Sequence, residues 1–243
     1  AGEAGIDSTF LVVNGDVITD LDVSALVDFH RAKGAEATIA LHPVEDPSAF
    51  GVVPTDDDGR VIAFVEKPPR DEAPTNLINA GTYVMEPSVL GRIPSGRRVS
   101  VERETFPQLV EDQTLFAHAD DGYWLDTGTP AAYLQANLNL IDGTRPGSPL
   151  PEARELDGGV WVTGDLEVEG IIEGPALAGA GSSVAAGATV GGSILGASVR
   201  VAPSALVRGS VLMDGVVVEE GASVVDSIVG TGATVGARAQ LSE

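Results

Sequence analysis

The C-terminal third of the chain repeats one pattern of small and branched apolar residues. Ser-Ile-Leu at 193–195, Ser-Val-Leu at 210–212 and Ser-Ile-Val at 227–229 recur at intervals of 17 residues. Within each interval the branched residues follow one another in steps of six, six and five. They are Val184, Val190, Leu195, Val201, Val207, Leu212, Val218, Val224, Val229 and Val235. This period predicts a solenoid with three flat sides per coil, in which one branched residue per side points inward.

The repeat resembles the hexapeptide-repeat left-handed β-helix, and its left hand is implied by that resemblance alone. A change of composition marks its start, because the chain after Trp161 contains no aromatic residue, lysine or histidine. We therefore predict an α/β domain over residues 1–145, a linker rich in Gly and Pro over 146–159, and a left-handed β-helix over 160–243. We expect the solenoid to pack against a second copy and to form a homo-oligomer.

Acidic residues dominate the charge of the chain. Its 36 Asp and Glu against 14 Lys and Arg give a formal net charge of −22. We expect no nucleic-acid partner, because such a surface repels phosphate backbones. We expect no membrane span either, because no apolar run approaches the required length. The absence of cysteine excludes thiolate metal sites. The charge favours a cytoplasmic protein of a halophile, with an ordinary acidic protein as the alternative.

The first region alternates strand and helix signals, which is typical of an α/β fold. Asp22 predicts the start of a helix that reaches about Lys33 and ends at Gly34. Thr129 and Pro130 predict the start of another, which ends near Ile141. The predicted strands are 11–14, 38–41, 51–53, 61–65 and 78–85.

Two acidic residues stand where a ligand crevice is expected. Asp16 follows the strand at 11–14, and Asp126 precedes the helix that starts at Pro130. Ligands of open α/β sheets bind at the carboxyl ends of strands. Two carboxylates together with substrate phosphates suit Mg²⁺, which prefers hard oxygen ligands. Each aspartate has an alternative role, the capping of the adjacent turn or helix.

A lysine and a glutamate follow another strand. Lys67 precedes Pro68, in a chain that has only one other lysine. Its ammonium is a compact charge suited to a phosphate. Glu66 could accept hydrogen bonds from vicinal hydroxyls. A solvated ion pair at a strand end is the alternative interpretation of these two residues.

Six motifs occur in the order seen in sugar-phosphate nucleotidylyltransferases, and the chain resembles that family over residues 7–243. They are Asn14-Gly-Asp16, Phe50-Gly-Val-Val53, Glu66-Lys-Pro68, Ile78-Asn-Ala-Gly81, Glu102 to Pro107 and Gly122 to Pro130. Within the family, the chain is most similar to mannose-1-phosphate guanylyltransferases. The resemblance implies a partial, Rossmann-like nucleotidyltransferase domain followed by the β-helix. It implies a reaction of a nucleoside triphosphate with a sugar 1-phosphate that gives an NDP-sugar and pyrophosphate.

The resemblance also implies roles for individual residues. Asp16 and Asp126 would hold Mg²⁺, and Lys67 would bind the sugar phosphate, which makes these three the catalytic set. The sugar contacts would be Gly51, Glu66, Asn79 and Gly81. Mannose 1-phosphate with GTP is the favoured pair, and glucose with dTTP or UTP is the other candidate.

The family's Gly-rich, Arg-containing triphosphate loop is not found in residues 1–243. We therefore interpret the chain as the C-terminal part of such an enzyme and expect little or no turnover from it alone. One alternative is a hexapeptide acyltransferase that uses coenzyme A. Its usual histidine base is missing from the solenoid, since the histidines lie at 30, 42 and 118 and His30 is expected on a helix surface. The other alternative is a non-catalytic regulatory or assembly subunit.

Overall fold

The computed structural model describes residues 5–242. Its contacts divide the chain into two compact units, the first ending at Asp126 and the second beginning at Thr127. None of the helices in the described range has the length and hydropathy needed to cross a membrane.

Within its described residues, 5–126, the first unit contains eight strands and two α-helices. The strands are β1 (Phe10–Val13), β2 (Val17–Thr19), β3 (Ala37–Pro43), β4 (Gly51–Val52), β5 (Val65–Glu66), β6 (Leu77–Met85), β7 (Leu115–Ala119) and β8 (Trp124–Asp126). The helices are α1 (Val23–Lys33) and α2 (Phe106–Glu111), and a π-helical turn at Val101–Thr105 leads directly into α2. Shorter 3-10 turns lie at Pro47–Ala49, Arg70–Glu72 and Pro87–Arg92.

Six of these strands form one mixed sheet in the order β5-β4-β6-β3-β7, and β1 also pairs with β6. Strands β3 and β7 are parallel, while β1, β3 and β4 each run antiparallel to β6. The predicted strand at 61–65 is wrong in extent. Val61 makes only an isolated bridge to Thr55, and the strand begins at Val65.

Helix α1 begins and ends as predicted. The side chain of Asp22 accepts a hydrogen bond from the amide of Ala25 at 2.9 Å, and Gly34 ends the helix in the left-handed conformation. The expectation for His30 is wrong, because its side chain is buried. Its Nδ1 lies 2.8 Å from the hydroxyl of Thr38, and its Nε2 lies 3.1 Å from a carboxylate oxygen of Glu86. Hydrogen bonds to these two polar partners therefore stabilise the buried position of His30.

Glu36 links three segments of the first unit. Its carboxylate accepts hydrogen bonds from Ser88 at 2.7 Å, from Thr114 at 2.9 Å and from Arg92. Burial by itself raises the pKa of Glu36, but these hydrogen bonds and the charge of Arg92 outweigh it. The net result is a pKa below the ordinary value of 4.5.

The second unit begins with helix α3 (Pro130–Ile141), capped by Thr129 as predicted. Fourteen strands follow as far as residue 242, where the described part of the chain ends. They are β9 (Arg154–Leu156), β10 (Val160–Val162), β11 (Leu166–Val168), β12 (Ile171–Ala178), β13 (Ser182–Val184), β14 (Thr189–Leu195), β15 (Arg200–Val201), β16 (Leu206–Arg208), β17 (Val211–Leu212), β18 (Val217–Val218), β19 (Ser223–Val225), β20 (Ile228–Val229), β21 (Thr234–Val235) and β22 (Gln240–Leu241).

Parallel pairing stacks strands β10 to β22 into a three-sided solenoid with the predicted 17-residue period, while β9 pairs antiparallel with β10. Val190 pairs with Val207, which pairs with Val224, and the other sides repeat the same offset. The inward-pointing residues of the repeat form one buried cluster. Helix α3 packs on β12 and β14, and β9 lies inside the predicted linker. The contacts divide the chain between Asp126 and Thr127. The predicted α/β domain over 1–145, linker over 146–159 and β-helix over 160–243 stay predictions.

A ladder of serines, of which Ser193 and Ser210 are fully buried, runs along one corner of the solenoid. The amide of Ser210 donates to the hydroxyl of Ser193, and the amide of Ser227 donates to the hydroxyl of Ser210, each at 3.1 Å. The hydroxyl of Ser210 in turn donates to the carbonyl of Arg208 at 2.7 Å. Ser193 and Ser210 therefore each satisfy an amide of the next coil as well as a carbonyl of their own coil, where an amide without a partner would be costly.

Candidate active site

A cleft of about 200 Å³ opens in the first unit, where segments next to β1, β4, β5, β6 and β8 converge. Six of the seven residues predicted for the site line it. They are Gly51, Glu66, Lys67, Asn79, Gly81 and Asp126. The seventh, Asp16, is not among the lining residues, although Asn14 and Val17 on either side of it are. Residues far apart in the chain therefore meet at one place.

Strand pairing brings the two aspartates to neighbouring positions. Val17 pairs with Asp126 in the two-stranded sheet of β2 and β8, and Asp16 directly precedes Val17. Across residues 5–242, no group of three or more His, Asp or Glu side chains is arranged to hold a metal ion. A pair of carboxylates still fits Mg²⁺, because this ion keeps several waters and binds substrate phosphates in preference to a complete protein cage.

Lys67 lies in a tight turn at the end of β5. Its amide donates to the carbonyl of Phe50 at 3.0 Å, and its backbone takes the left-handed conformation with φ of 47°. The side chain is exposed at the rim of the cleft. The other lysine, Lys33, is engaged by Asp58 at 2.6 Å. Lys67 is therefore the lysine whose ammonium a phosphate in the cleft could meet.

The two glycines of the cleft act through their shape. A Cβ at Gly51 would lie 2.6 Å from the ring of Phe64 and 3.3 Å from a carboxylate oxygen of Glu66. Gly81 has φ of +75°, and a Cβ there would lie 2.7 Å from Nδ2 of Asn14. The amide and carbonyl of Gly81 are both bonded within the protein, to Asn79 and to Asn14. These glycines let side chains approach the backbone closely.

Sequence reasoning assigned no role to several residues that build the cleft. Glu102 lines it and accepts hydrogen bonds from Nδ2 of Asn79 at 2.7 Å and from the hydroxyl of Tyr83 at 3.2 Å. Burial raises the pKa of Tyr83, and the charge of Glu102 raises it further, so the phenol stays protonated. The sequence did contain a signal for Asn14 and Glu102, because each of them begins one of the six motifs.

An aromatic wall closes another side. Trp124 lines the cleft, stacks on His42 with ring centroids 5.5 Å apart and meets the edge of Phe50 at 5.6 Å. Its indole donates to the carbonyl of Ala80 at 3.0 Å. The wall is thus tied to β6, the strand that also carries Asn79 and Gly81.

The chain thus combines an α/β sheet that carries a polar cleft with a three-sided solenoid that follows it in the sequence. The nucleotidyl transferase family matches residues 2–143, and the GlmU-like C-terminal hexapeptide family matches residues 170–243. The chain belongs to the nucleotidyl transferase family. The predicted Rossmann-like domain followed by a β-helix of hexapeptide repeats is confirmed.

Three curated relatives show which members of the family are similar. Mannose-1-phosphate guanylyltransferase of Mycobacterium tuberculosis is 42% identical over 69% of this chain and 48% of its own length. A probable mannose-1-phosphate guanylyltransferase 2 of Arabidopsis thaliana is 40% identical over 72% and 48%. UTP--glucose-1-phosphate uridylyltransferase of Synechocystis is 34% identical over 76% and 53%. The chain spans about half the length of the curated relatives it matches.

Proposed function

We propose that this chain contributes to the transfer of a nucleotidyl group from a nucleoside triphosphate to a sugar 1-phosphate, with GTP and mannose 1-phosphate as the pair. The observation that carries the proposal is the meeting of Glu66, Lys67 and Asp126 in one cleft of a nucleotidyl transferase domain. The two mannose-1-phosphate guanylyltransferases at about 40% identity favour this pair. The uridylyltransferase at 34% makes UTP with glucose 1-phosphate the second candidate.

The residues of the cleft fit the chemistry of this reaction. An oxygen of the sugar phosphate attacks the α-phosphorus of the triphosphate, the α–β bridge breaks, and pyrophosphate leaves. Lys67 binds the sugar phosphate and offsets its charge, while Glu66 accepts hydrogen bonds from sugar hydroxyls. Asp16 and Asp126 would hold Mg²⁺, which neutralises charge on the phosphates. Alignment and charge neutralisation supply most of the catalysis in such transfers, so the chain needs no covalent intermediate.

Binding of the sugar phosphate tests the proposal without requiring turnover. Mannose 1-phosphate and glucose 1-phosphate are titrated into the chain by calorimetry or NMR, with and without MgCl₂. Lys67→Gln should weaken binding about 10- to 100-fold, since it removes a charge-assisted contact. Asp126→Asn should abolish the effect of MgCl₂ and leave the fold intact.

The chain provides a matched control for the lysine. Lys33→Gln removes the same charge at a site outside the cleft and should leave binding unchanged, because Lys33 is engaged by Asp58. Equal binding by Lys67→Gln and the unsubstituted chain would refute the assignment of Lys67. The homo-oligomer through the solenoid, the halophilic origin and the cytoplasmic location stay predictions.

A further inference from the structure

We propose that Glu102 is a second sugar-binding carboxylate of the cleft, which accepts a hydrogen bond from a hydroxyl of the sugar, and that Asn79 and Tyr83 hold it in position. This inference rests on the proposed function, because it concerns the sugar half of the same substrate. It assigns Asn79 a positioning role in place of the direct sugar contact that the sequence implied.

The side chain of Asn79 has no donor left for a ligand. Its Nδ2 donates one hydrogen to the hydroxyl of Tyr83 at 2.8 Å and the other to Oε1 of Glu102 at 2.7 Å. Its Oδ1 accepts the amide hydrogen of Gly81 at 3.0 Å. A primary amide carries two hydrogens, and both are used within the protein. Asn79 therefore braces its neighbours.

Glu102 lines the cleft and keeps acceptor capacity for a ligand. Both protein donors converge on Oε1, the second being the hydroxyl of Tyr83 at 3.2 Å. No donor within residues 5–242 is bonded to Oε2. Glu102 is half-buried. A carboxylate accepts about four hydrogen bonds. A neutral hydroxyl suits the remaining sites, whereas a phosphate would be repelled.

The position of Glu102 is fixed by its packed neighbours before any ligand binds. Tyr83 is 5% exposed and meets the edge of the Phe106 ring at 5.3 Å. Phe106 is fully buried and starts α2, directly after the turn that carries Glu102. A carboxylate whose Oε1 is held by Asn79 and by the packed Tyr83 loses little rotamer freedom on binding, which favours selectivity for a hydroxyl at one place.

The experiment measures what the carboxylate binds. The unsubstituted chain and Glu102→Gln are titrated with mannose 1-phosphate, with mannose 1-phosphates that each lack one hydroxyl, and with inorganic phosphate. Glu102→Gln should weaken binding of mannose 1-phosphate about 10- to 100-fold. Binding of inorganic phosphate should change less than about twofold, and one deoxy analogue should bind both proteins equally, because it lacks the hydroxyl that Glu102 accepts.

Two further variants separate binding from support of the fold. Glu104→Gln removes the same charge two residues away, where the side chain pairs with Arg97 outside the cleft, and should bind mannose 1-phosphate normally. Tyr83→Phe keeps the ring and loses only the hydroxyl, so it should weaken binding by a smaller factor than Glu102→Gln. If Glu102→Gln does not fold, Glu102→Asp takes its place, because it keeps the charge and shortens the reach.

Three results would overturn the inference. One is equal binding of mannose 1-phosphate by Glu102→Gln and the unsubstituted chain, which leaves the proposed function standing. Another is an equal loss for inorganic phosphate and for every deoxy analogue, which would show that Glu102 only supports the fold. The third is absence of binding of any hexose 1-phosphate by the unsubstituted chain, which would refute the proposed function as well.

Discussion

Replacement of Gly81 by alanine tests whether the cleft depends on a backbone conformation that favours glycine. With φ of +75°, the backbone at Gly81 lies in the left-handed region, which costs other residues about 1–2 kcal/mol. The new Cβ would lie 2.7 Å from Nδ2 and 2.9 Å from Cγ of Asn14. The shifts of side chain and backbone that accommodate such a contact cost about 1–3 kcal/mol. The sum predicts that Gly81→Ala lowers the unfolding free energy of the first unit by about 2–5 kcal/mol.

Urea unfolding followed by tryptophan fluorescence measures this loss. Trp124 reports on the first unit, because its indole is bonded to the carbonyl of Ala80, next to Gly81. Every variant also carries Trp161→Phe, which removes the tryptophan of the solenoid. Gly91→Ala is the control, since a Cβ there meets no atom within 4 Å. It should change the unfolding free energy by less than about 1 kcal/mol.

A double substitution separates the clash from the backbone strain. Asn14→Gly removes the side chain that the new Cβ would meet, so Gly81→Ala should cost only about 1–2 kcal/mol in that background. The two substitutions should therefore couple by about 1–3 kcal/mol. An equal cost of Gly81→Ala with and without the Asn14 side chain would refute the steric reasoning.

Three more substitutions test the solenoid and the Glu36 cluster. Ser210→Ala leaves the half-buried amide of Ser227 without its acceptor and should cost about 1–3 kcal/mol. Ser227→Ala is the control, because among residues 5–242 it removes only the hydrogen bond to the carbonyl of Val225. Hydrogen exchange at the amide of residue 227 should therefore accelerate in Ser210→Ala and not in Ser227→Ala. Because the pKa of Glu36 is lowered in the fold, its ionised form stabilises the protein above about pH 5, and this stability is lost as the pH falls through the folded pKa. Glu36→Gln should flatten the decline in unfolding free energy at acid pH, and an unchanged decline would contradict the role of the cluster.

The solenoid could be predicted from the sequence because its contacts are periodic. Each coil touches only its neighbours, so the spacing that places Val190 and Val207 one coil apart also states which strands pair. The helix starts at Asp22 and Thr129 could be predicted for a related reason, since capping acts within three residues. The sequence by itself therefore determined these elements and, through its motifs, most of the residues that line the cleft.

Only the tertiary structure decided what those residues do to one another. Asn79 and Glu102 are 23 residues apart in the sequence and meet in the fold. No periodicity or local preference predicts that the side-chain amide of Asn79 donates to both Glu102 and Tyr83. His30 shows the same limit, because its burial depends on Thr38 and Glu86, which a helical pattern does not contain. Hydrogen bonds between distant segments exist only after the sheet has brought those segments together, and their geometry is therefore a property of the folded chain.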